Sequence, residues 1–289
     1  MCGIVGLFNP LKITDNLKEV DLFKSMINSL INRGPDEKGI LFSKIGWLGH
    51  TRLSILDIES GHQPMCSLDK DIALVFNGEI FNFIEIRTEL IGKGYHFQTN
   101  SDTEVLIHLY RDLGTKMFIR LNGQFSVAII DFKKNILLLS RDRFGILPLF
   151  YTFLDKSILF SSSIKTILLN PLVKRDFNLD AYFQMTNIWT TFGNKTFIKN
   201  VFSIEPGEFI VVSKAGIKKE KYWELDFPAK PKKYTIDEWK EKVREGMSNS
   251  INIRLRADVP VMTYLSGGLD SSIILELAKR NHEDRKSVV

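Results

Sequence analysis

A cysteine at position 2 becomes the first residue once an initiator methionine is removed, and its thiol then shares one residue with a free α-amino group. An amine with an ordinary pKa of about 7.7–8.0 can accept the thiol proton, so Cys2 could hold nucleophile and base together. A chance cysteine beside a start codon is the plain alternative. Phe76-Asn-Gly-Glu79 supplies the side-chain amide of Asn77 and the closely approachable backbone N–H of Gly78. Those are the two donors that a developing oxyanion needs, although Asn-Gly is equally a hairpin-turn signal. Arg52 carries a bidentate fork for a carboxylate and Asp102 a negative charge for an ammonium, unless both are spent in surface ion pairs. Ser266-Gly-Gly-Leu-Asp-Ser-Ser272 is a glycine-rich turn between an apolar run and a helical one. There backbone N–H groups and a helix dipole can converge on a phosphate.

These residues need a frame of short strands and a few helices. Ile4–Phe8, Ile40–Phe42, Leu53–Leu56, Ile72–Phe76, Phe125–Asp131, Ile136–Ser140, Leu149–Phe153 and Phe209–Val212 have the length and branching of strands. Phe23, Ile27, Leu30 and Ile31 recur at helical spacing within Val20–Ile31, and helices are expected over Phe83–Ile91 and Asp102–Leu113. Ser101-Asp-Thr-Glu104 has the cap-forming side chains of a helix start. Phe227-Pro-Ala-Lys-Pro-Lys-Lys-Tyr234 has no apolar period and reads as a linker. Beyond it Thr235–Arg256 and Ser271–Arg280 read as helices and Val261–Leu265 as a strand.

Taken in order, Cys2-Gly-Ile-Val-Gly6, Arg33-Gly-Pro-Asp36, His50-Thr-Arg-Leu-Ser-Ile55, Phe76-Asn-Gly-Glu79 and Ser101-Asp102 resemble the N-terminal-nucleophile (class II) glutamine amidotransferases. The resemblance implies an α+β fold, a four-layer αββα sandwich, that hydrolyses the side-chain amide of glutamine to glutamate and ammonia. It implies catalytic roles for Cys2, Asn77 and Gly78. Glutamine would be held by Arg52, Leu53, Ser54, Ile55, Asn77, Gly78, Glu79 and Asp102, with no cofactor for this half-reaction. Arg33-Gly-Pro-Asp36 stays open between a site element and a turn. Asp142-Arg-Phe-Gly-Ile-Leu-Pro-Leu-Phe-Tyr151, with Arg141 before it, matches a family segment expected to be structural. Ser163 stands where relatives usually have a glutamate.

The second constellation is similar to the pyrophosphate loop of ATP pyrophosphatases, implying that Leu265, Ser266, Gly267, Gly268, Asp270, Ser271 and Ser272 bind ATP at the start of an α/β adenine-nucleotide domain. Asp270 could organise Mg²⁺ or cap the helix. Glutaminase, linker and loop together resemble glutamine-hydrolysing asparagine synthetases. That implies ammonia transfer to an aspartyl-adenylate, aspartate and ATP as further substrates, and a homodimer. The alternatives are an amidotransferase of the same plan acting on another carboxylate (a sugar acid, cell-wall precursor or peptide), a phosphoribosyl amidotransferase, or a non-catalytic binding module. The adenylating loop argues against the phosphoribosyl enzymes, and retention of Cys2, Arg52, Asn77, Gly78 and Asp102 argues against a binding module.

The 289 residues are 44% hydrophobic and 25% charged, which suits a globular protein of one large or two medium domains. The expected division is 2–226 amidotransferase, 227–234 linker, 235–283 incomplete second domain and 284–289 non-native tail. Two cysteines are too few for a disulfide framework. With no apolar run long enough for a membrane span and no secretory signal, a cytoplasmic location is expected. A net charge of +5 is dispersed or falls in short runs such as Lys218-Lys-Glu-Lys221, which argues for a solvated surface rather than nucleic-acid binding. A doubly wound domain needs more strand–helix units than follow Ser266. Read as GAT CGG AAG AGC GTC GTG, Asp284-Arg-Lys-Ser-Val-Val289 matches a common sequencing-adapter oligonucleotide, so coding sequence is expected to give way to adapter after Glu283.

Overall fold

The computed structural model describes residues 1–13, 16–230 and 233–281, so the tail 284–289 lies outside the described residues. The chain forms two bodies, Met1–Ser54 with Glu59–Glu224, and Ile55–Ile58 with the chain from Leu225 onward. The first body begins with β1 (Gly3–Phe8), α1 (Leu17–Asn28), β2 (Glu37–Phe42), β3 (Gly46–Arg52), β4 (Met65–Cys66) and β5 (Ile72–Ile80). Three helices follow, α2 (Phe83–Gly92), α3 (Asp102–Leu113) and α4 (Met117–Arg120), and then β6 (Gly123–Asp131), β7 (Ile136–Arg141), β8 (Phe150–Leu154) and β9 (Ser157–Ser161). It closes with α5 (Ile164–Ile167), α6 (Leu179–Ile188), β10 (Val201–Ser203), β11 (Glu208–Ser213) and β12 (Gly216–Lys221), and the second body holds α7 (Ile236–Arg254) and α8 (Leu269–Asn281).

Two six-stranded antiparallel sheets result, ordered β10-β8-β9-β1-β3-β2 and β12-β11-β7-β6-β5-β4. Side chains alternate across a strand, and this alternation builds the layers. Ile4, Phe8, Leu48, Tyr151, Ile158 and Phe160 of the first sheet meet Ala73, Val75, Ala128, Ile130, Leu137, Leu139, Ile210 and Val212 of the second in one core. The opposite faces of β1, β3 and β9, at Val5, Trp47 and Leu159, pack with Phe23, Met26, Ile27 and Leu30 on and after α1. On the far side α3 packs on β5, burying Val105, Leu106 and Leu109. The product is an αββα sandwich, as the family resemblance implies.

Some elements depart from expectation. Leu53–Leu56 is not a strand; the strand is β3, just before it. All seven residues of β3 are buried, so Gly-Trp-Leu-Gly-His-Thr-Arg shows no polar alternation by which to recognise it. Asn77-Gly78 is not a hairpin, because β5 runs on through both to Ile80. β12 is the charge run at Lys218–Lys221, fully exposed on a sheet edge, where lysines discourage pairing with another chain. In the second body Val261–Leu265 holds one bridged residue, Tyr264. A strand needs a ladder partner, and none runs beside it among the described residues. Here α7 buries none of its residues, and Leu269 and Ile274 of α8 are exposed.

Candidate active site

Cys2 precedes β1, whose pairing with β3 sets Gly3 opposite Thr51 and thereby brings Cys2 beside the end of β3. Its Sγ lies 3.4 Å from the Leu53 backbone N–H donor and 3.7 Å from the Leu53 carbonyl oxygen. Burial pushes the thiol above its ordinary pKa, while the Leu53 contact, the Met1 α-amino charge and Arg52 pull it down and Asp102 pushes it up. Desolvation wins, so the resting sulfur is a thiol that needs a base before it attacks.

Arg33-Gly-Pro-Asp36 clasps both sides of this contact. Arg33 Nε donates to the Cys2 carbonyl at 3.0 Å, the Asp36 carboxylate accepts the Ser54 N–H at 2.8 Å, and the Asp36 N–H donates to the Arg52 carbonyl at 3.0 Å. Both the turn and the site readings are therefore partly met: it is a turn that holds site residues. Arg52 is buried and its Nη1 lies 3.4 Å from Glu37 Oε2. Burial would raise the Glu37 carboxyl, yet hydrogen bonds from His62 and Arg52 hold it below its ordinary value. Arg52 is thus not part of a surface pair.

The strand carrying Asn77 and Gly78 is fixed along an edge that lacks a strand neighbour. β4 pairs only Met65 with Leu74 and Cys66 with Ala73. Continued antiparallel, it would set Pro64, which has no N–H, opposite Val75 and Gln63 opposite Phe76. Side chains replace it. Gln63 Oε1 accepts the Phe76 N–H at 2.6 Å and its Nε2 donates to Thr103 Oγ1 at 3.3 Å. His50, on the other sheet, lies with Nε2 3.1 Å from the Phe76 carbonyl. Burial lowers its pKa to about 4, so at neutral pH the ring is uncharged and Nε2–H is the donor. At the far end of β5, Asp102 Oδ2 accepts the Ile80 N–H at 3.0 Å. Asn77, Gly78 and Glu79 lie between these stitches.

Asn77 is fully buried, and neither Oδ1 nor Nδ2 has a hydrogen-bond partner. An orphaned amide of this kind costs about 1–3 kcal/mol for each polar group. Gly78 has φ +152°, and a Cβ there would lie 2.1 Å from the Gln124 carbonyl oxygen, so only glycine lets β5 and β6 approach this closely. Asp102 opens α3, whose observed span matches the expected one, with Ser101 Oγ accepting the Thr103 N–H at 3.1 Å. Burial raises the Asp102 carboxyl to about 7, against the Ile80 N–H, and the Glu79 charge adds to the rise. Burial also raises Glu79. The arrangement combines a thiol, an unfilled amide donor, a buried guanidinium and two carboxyls that resist ionisation, which suits attack on a polar amide and recognition of a zwitterion.

The glutamine amidotransferase domain family matches residues 1–223. The chain belongs to that family. Behind the amidotransferase domain, residues 242–288 match the asparagine synthase family. Among curated relatives, asparagine synthetase [glutamine-hydrolyzing] 1 of Bacillus subtilis (strain 168) is 36% identical over 290 residues, 99% of this chain and 45% of that protein. Amidase chry2 of Gibberella zeae is 32% identical over 292 residues, 95% of this chain and 42% of that protein. The chain therefore spans about half the length of these curated relatives. A solved glutamine phosphoribosylpyrophosphate amidotransferase from B. subtilis, complexed with ADP and GMP, superposes with a TM-score of 0.54 at 18% identity. It covers 96% of this chain and 64% of that one, which shows a shared fold.

The amidotransferase sandwich brings together Cys2, Arg52, Leu53, Ser54, Asn77, Gly78, Glu79 and Asp102. Ile55 falls instead in the segment grouped with the second body, where its carbonyl accepts the Asp258 N–H at 3.0 Å. His50, Gln63 and Glu37 received no role from the sequence, because a side chain that replaces a missing strand leaves no periodic signal. Ser163 begins α5 without a side-chain cap. Asp142 accepts backbone N–H bonds from Phe125, Phe144, Ile146 and Leu147, a knot that orders the segment leading to Tyr151. In the second body Gly267 has φ +79° with open space around it, Ser266 and Ser271 hydroxyls lie 3.0 Å apart, and Ser272 Oγ donates to the Gly268 carbonyl at 2.8 Å. An open glycine turn running into α8 fits a phosphate group. No group of three or more His, Cys, Asp or Glu gathers as a metal site among the described residues. Among the described residues no helix is long and apolar enough to cross a membrane.

Proposed function

We propose that this protein is a glutamine-dependent amidotransferase of the asparagine synthetase type, with Cys2 as the nucleophile. Removal of Met1 would convert the neighbouring positive charge into an α-amine on Cys2 itself, able to take the thiol proton. The Cys2 sulfur would then add to the side-chain carbonyl of glutamine, and Asn77 Nδ2 with the Gly78 N–H would hold the resulting oxyanion. Loss of ammonia leaves a thioester that water cleaves to glutamate. Arg52 would hold the α-carboxylate, Asp102 and Glu79 the α-ammonium, with Leu53 and Ser54 as backbone walls. The single observation that carries this reading is the fully buried Asn77 amide with no partner on either atom, in the domain that the family match covers.

By the same reading the second domain is proposed to adenylate aspartate with ATP at Leu265, Ser266, Gly267, Gly268, Asp270, Ser271 and Ser272, the ammonia then giving asparagine. The boundaries 2–226, 227–234 and 235–283 are part of this proposal, as are the cytoplasmic location and the homodimer. A relative named as an amidase, at 32% identity beside 36% for a named asparagine synthetase, supports keeping a different carboxylate as the second reading. Glutamate release from glutamine by the full chain tests the first half. Cys2→Ala is expected to abolish it, and an unchanged rate in that variant would remove Cys2 from the reaction.

A further inference from the structure

Asn77 cannot serve an oxyanion with Nδ2 unless something decides which end of its amide faces the sulfur, since the two ends have nearly the same shape. In the register of β5 and β6, Asn77 lies directly opposite Ser126. Opposed residues of an antiparallel pair share one face of the sheet. That face is the inner one, because the next pair on the same face, Val75 and Ala128, two residues along, belongs to the core between the sheets. Ser126 is fully buried, and its Oγ, like both polar atoms of Asn77, has no partner.

Three orphaned atoms thus lie on two facing residues. If Nδ2 is committed to the oxyanion, Oδ1 still needs a donor, and the rotatable Ser126 hydroxyl is a donor that needs an acceptor. One bond answers both. We infer that Ser126 is a positioning residue: in the reacting complex its hydroxyl donates to Asn77 Oδ1 and fixes the amide with Nδ2 turned to the reacting carbonyl. The inference rests on the proposed attack by Cys2 and adds the element that orients the oxyanion donor. Within Phe125–Ile130, Ser126 is the one polar side chain in an apolar run, and it falls on the core-facing phase.

The experiment compares the full chain with Ser126→Ala and Ser126→Thr for glutamate release over a range of glutamine concentrations, with melting temperatures measured alongside. Ser126→Ala is expected to lower kcat about tenfold, the weight of one hydrogen bond. KM should stay within about twofold, because the bond matters only once the oxyanion forms. Its melting temperature should hold or rise, since an unpartnered buried hydroxyl is being removed, and Ser126→Thr should restore most of kcat. Wild-type kcat in Ser126→Ala overturns the inference while leaving Cys2 in place. A rise in KM with a fall in kcat and in melting temperature, unrelieved by Thr, also overturns it, because that is the mark of a packing defect. A wild-type chain that releases no glutamate overturns the proposed function and this inference with it.

Discussion

The two candidate sites are held in opposite ways. Around Cys2 the contacts join residues far apart in sequence: Leu53 to Cys2, Arg33 to Cys2, His50 to Phe76, Asp102 to Ile80. The groups themselves are buried and incompletely satisfied. Around Ser266–Ser272 every side-chain bond among the described residues spans five residues or fewer and is exposed. The first site is therefore a product of tertiary structure, preorganised at a cost in stability, whereas the second is a local backbone shape. Disturbance should spread from the first and stay contained at the second.

The largest effect on this contrast is expected from Gly78→Ala. A Cβ in contact with the Gln124 carbonyl forces β5 from β6, so folding stability should fall by about 3 kcal/mol or more, and glutamate release by at least about 10²-fold as the oxyanion N–H is displaced. Thermal melting and initial rates check both; a variant with wild-type stability would mean the strands are not as rigid as the contrast requires.

Asp102→Asn sharpens it. With its folded pKa raised to about 7, Asp102 is most compatible with the fold when protonated. It therefore destabilises increasingly as pH rises from its unfolded value near 4 through 7. Asparagine removes that charge, so at pH 8 the variant should be more stable, by up to about 4 kcal/mol for a shift of about three units. Glutamine affinity should meanwhile fall if, as proposed, Asp102 is the ammonium partner. In the wild type kcat/KM should rise through pH 7 as the carboxylate forms, and a rise that persists in Asp102→Asn would assign it to another group.

The smallest effect belongs to Gly267→Ala. Its Cβ meets nothing within 4 Å, leaving only the left-handed backbone penalty of about 1 kcal/mol. Glutamate release and the melting of the sandwich should be unchanged. A clear loss of glutamate release would break the contrast by showing that the loop reaches the Cys2 site.

What the sequence made legible follows the same line. Ser101 announced α3 to the residue, because capping is local chemistry. Alternation and branching located β1, β5, β6, β7 and β11. Cys2, Arg52, Leu53, Ser54, Asn77, Gly78, Glu79 and Asp102 all fall in the first body, whereas Ile55 is grouped with the second. What stayed hidden was tertiary in cause: β3 is buried on both faces and has no alternation, β12 is an edge strand written in lysines, and α6 buries only Ala181. Val261–Leu265 has the composition of a strand without, among the described residues, a ladder neighbour that would make it one. Gln63, His50 and Ser126 became visible only when their partners across the sandwich did.

Asp102 carries a consequence for descent. On the proposed reading, the substitution that removes its charge weakens glutamine binding and leaves a sturdier sandwich, so loss of function at this position does not entail loss of the protein. If that reading holds, a lineage can move toward a folded, persistent and weakly binding paralogue in a single step, with no selection against misfolding to stop it. Sequence similarity at the level of the whole domain would survive that step intact, which places the burden of telling the two apart on a handful of buried polar atoms.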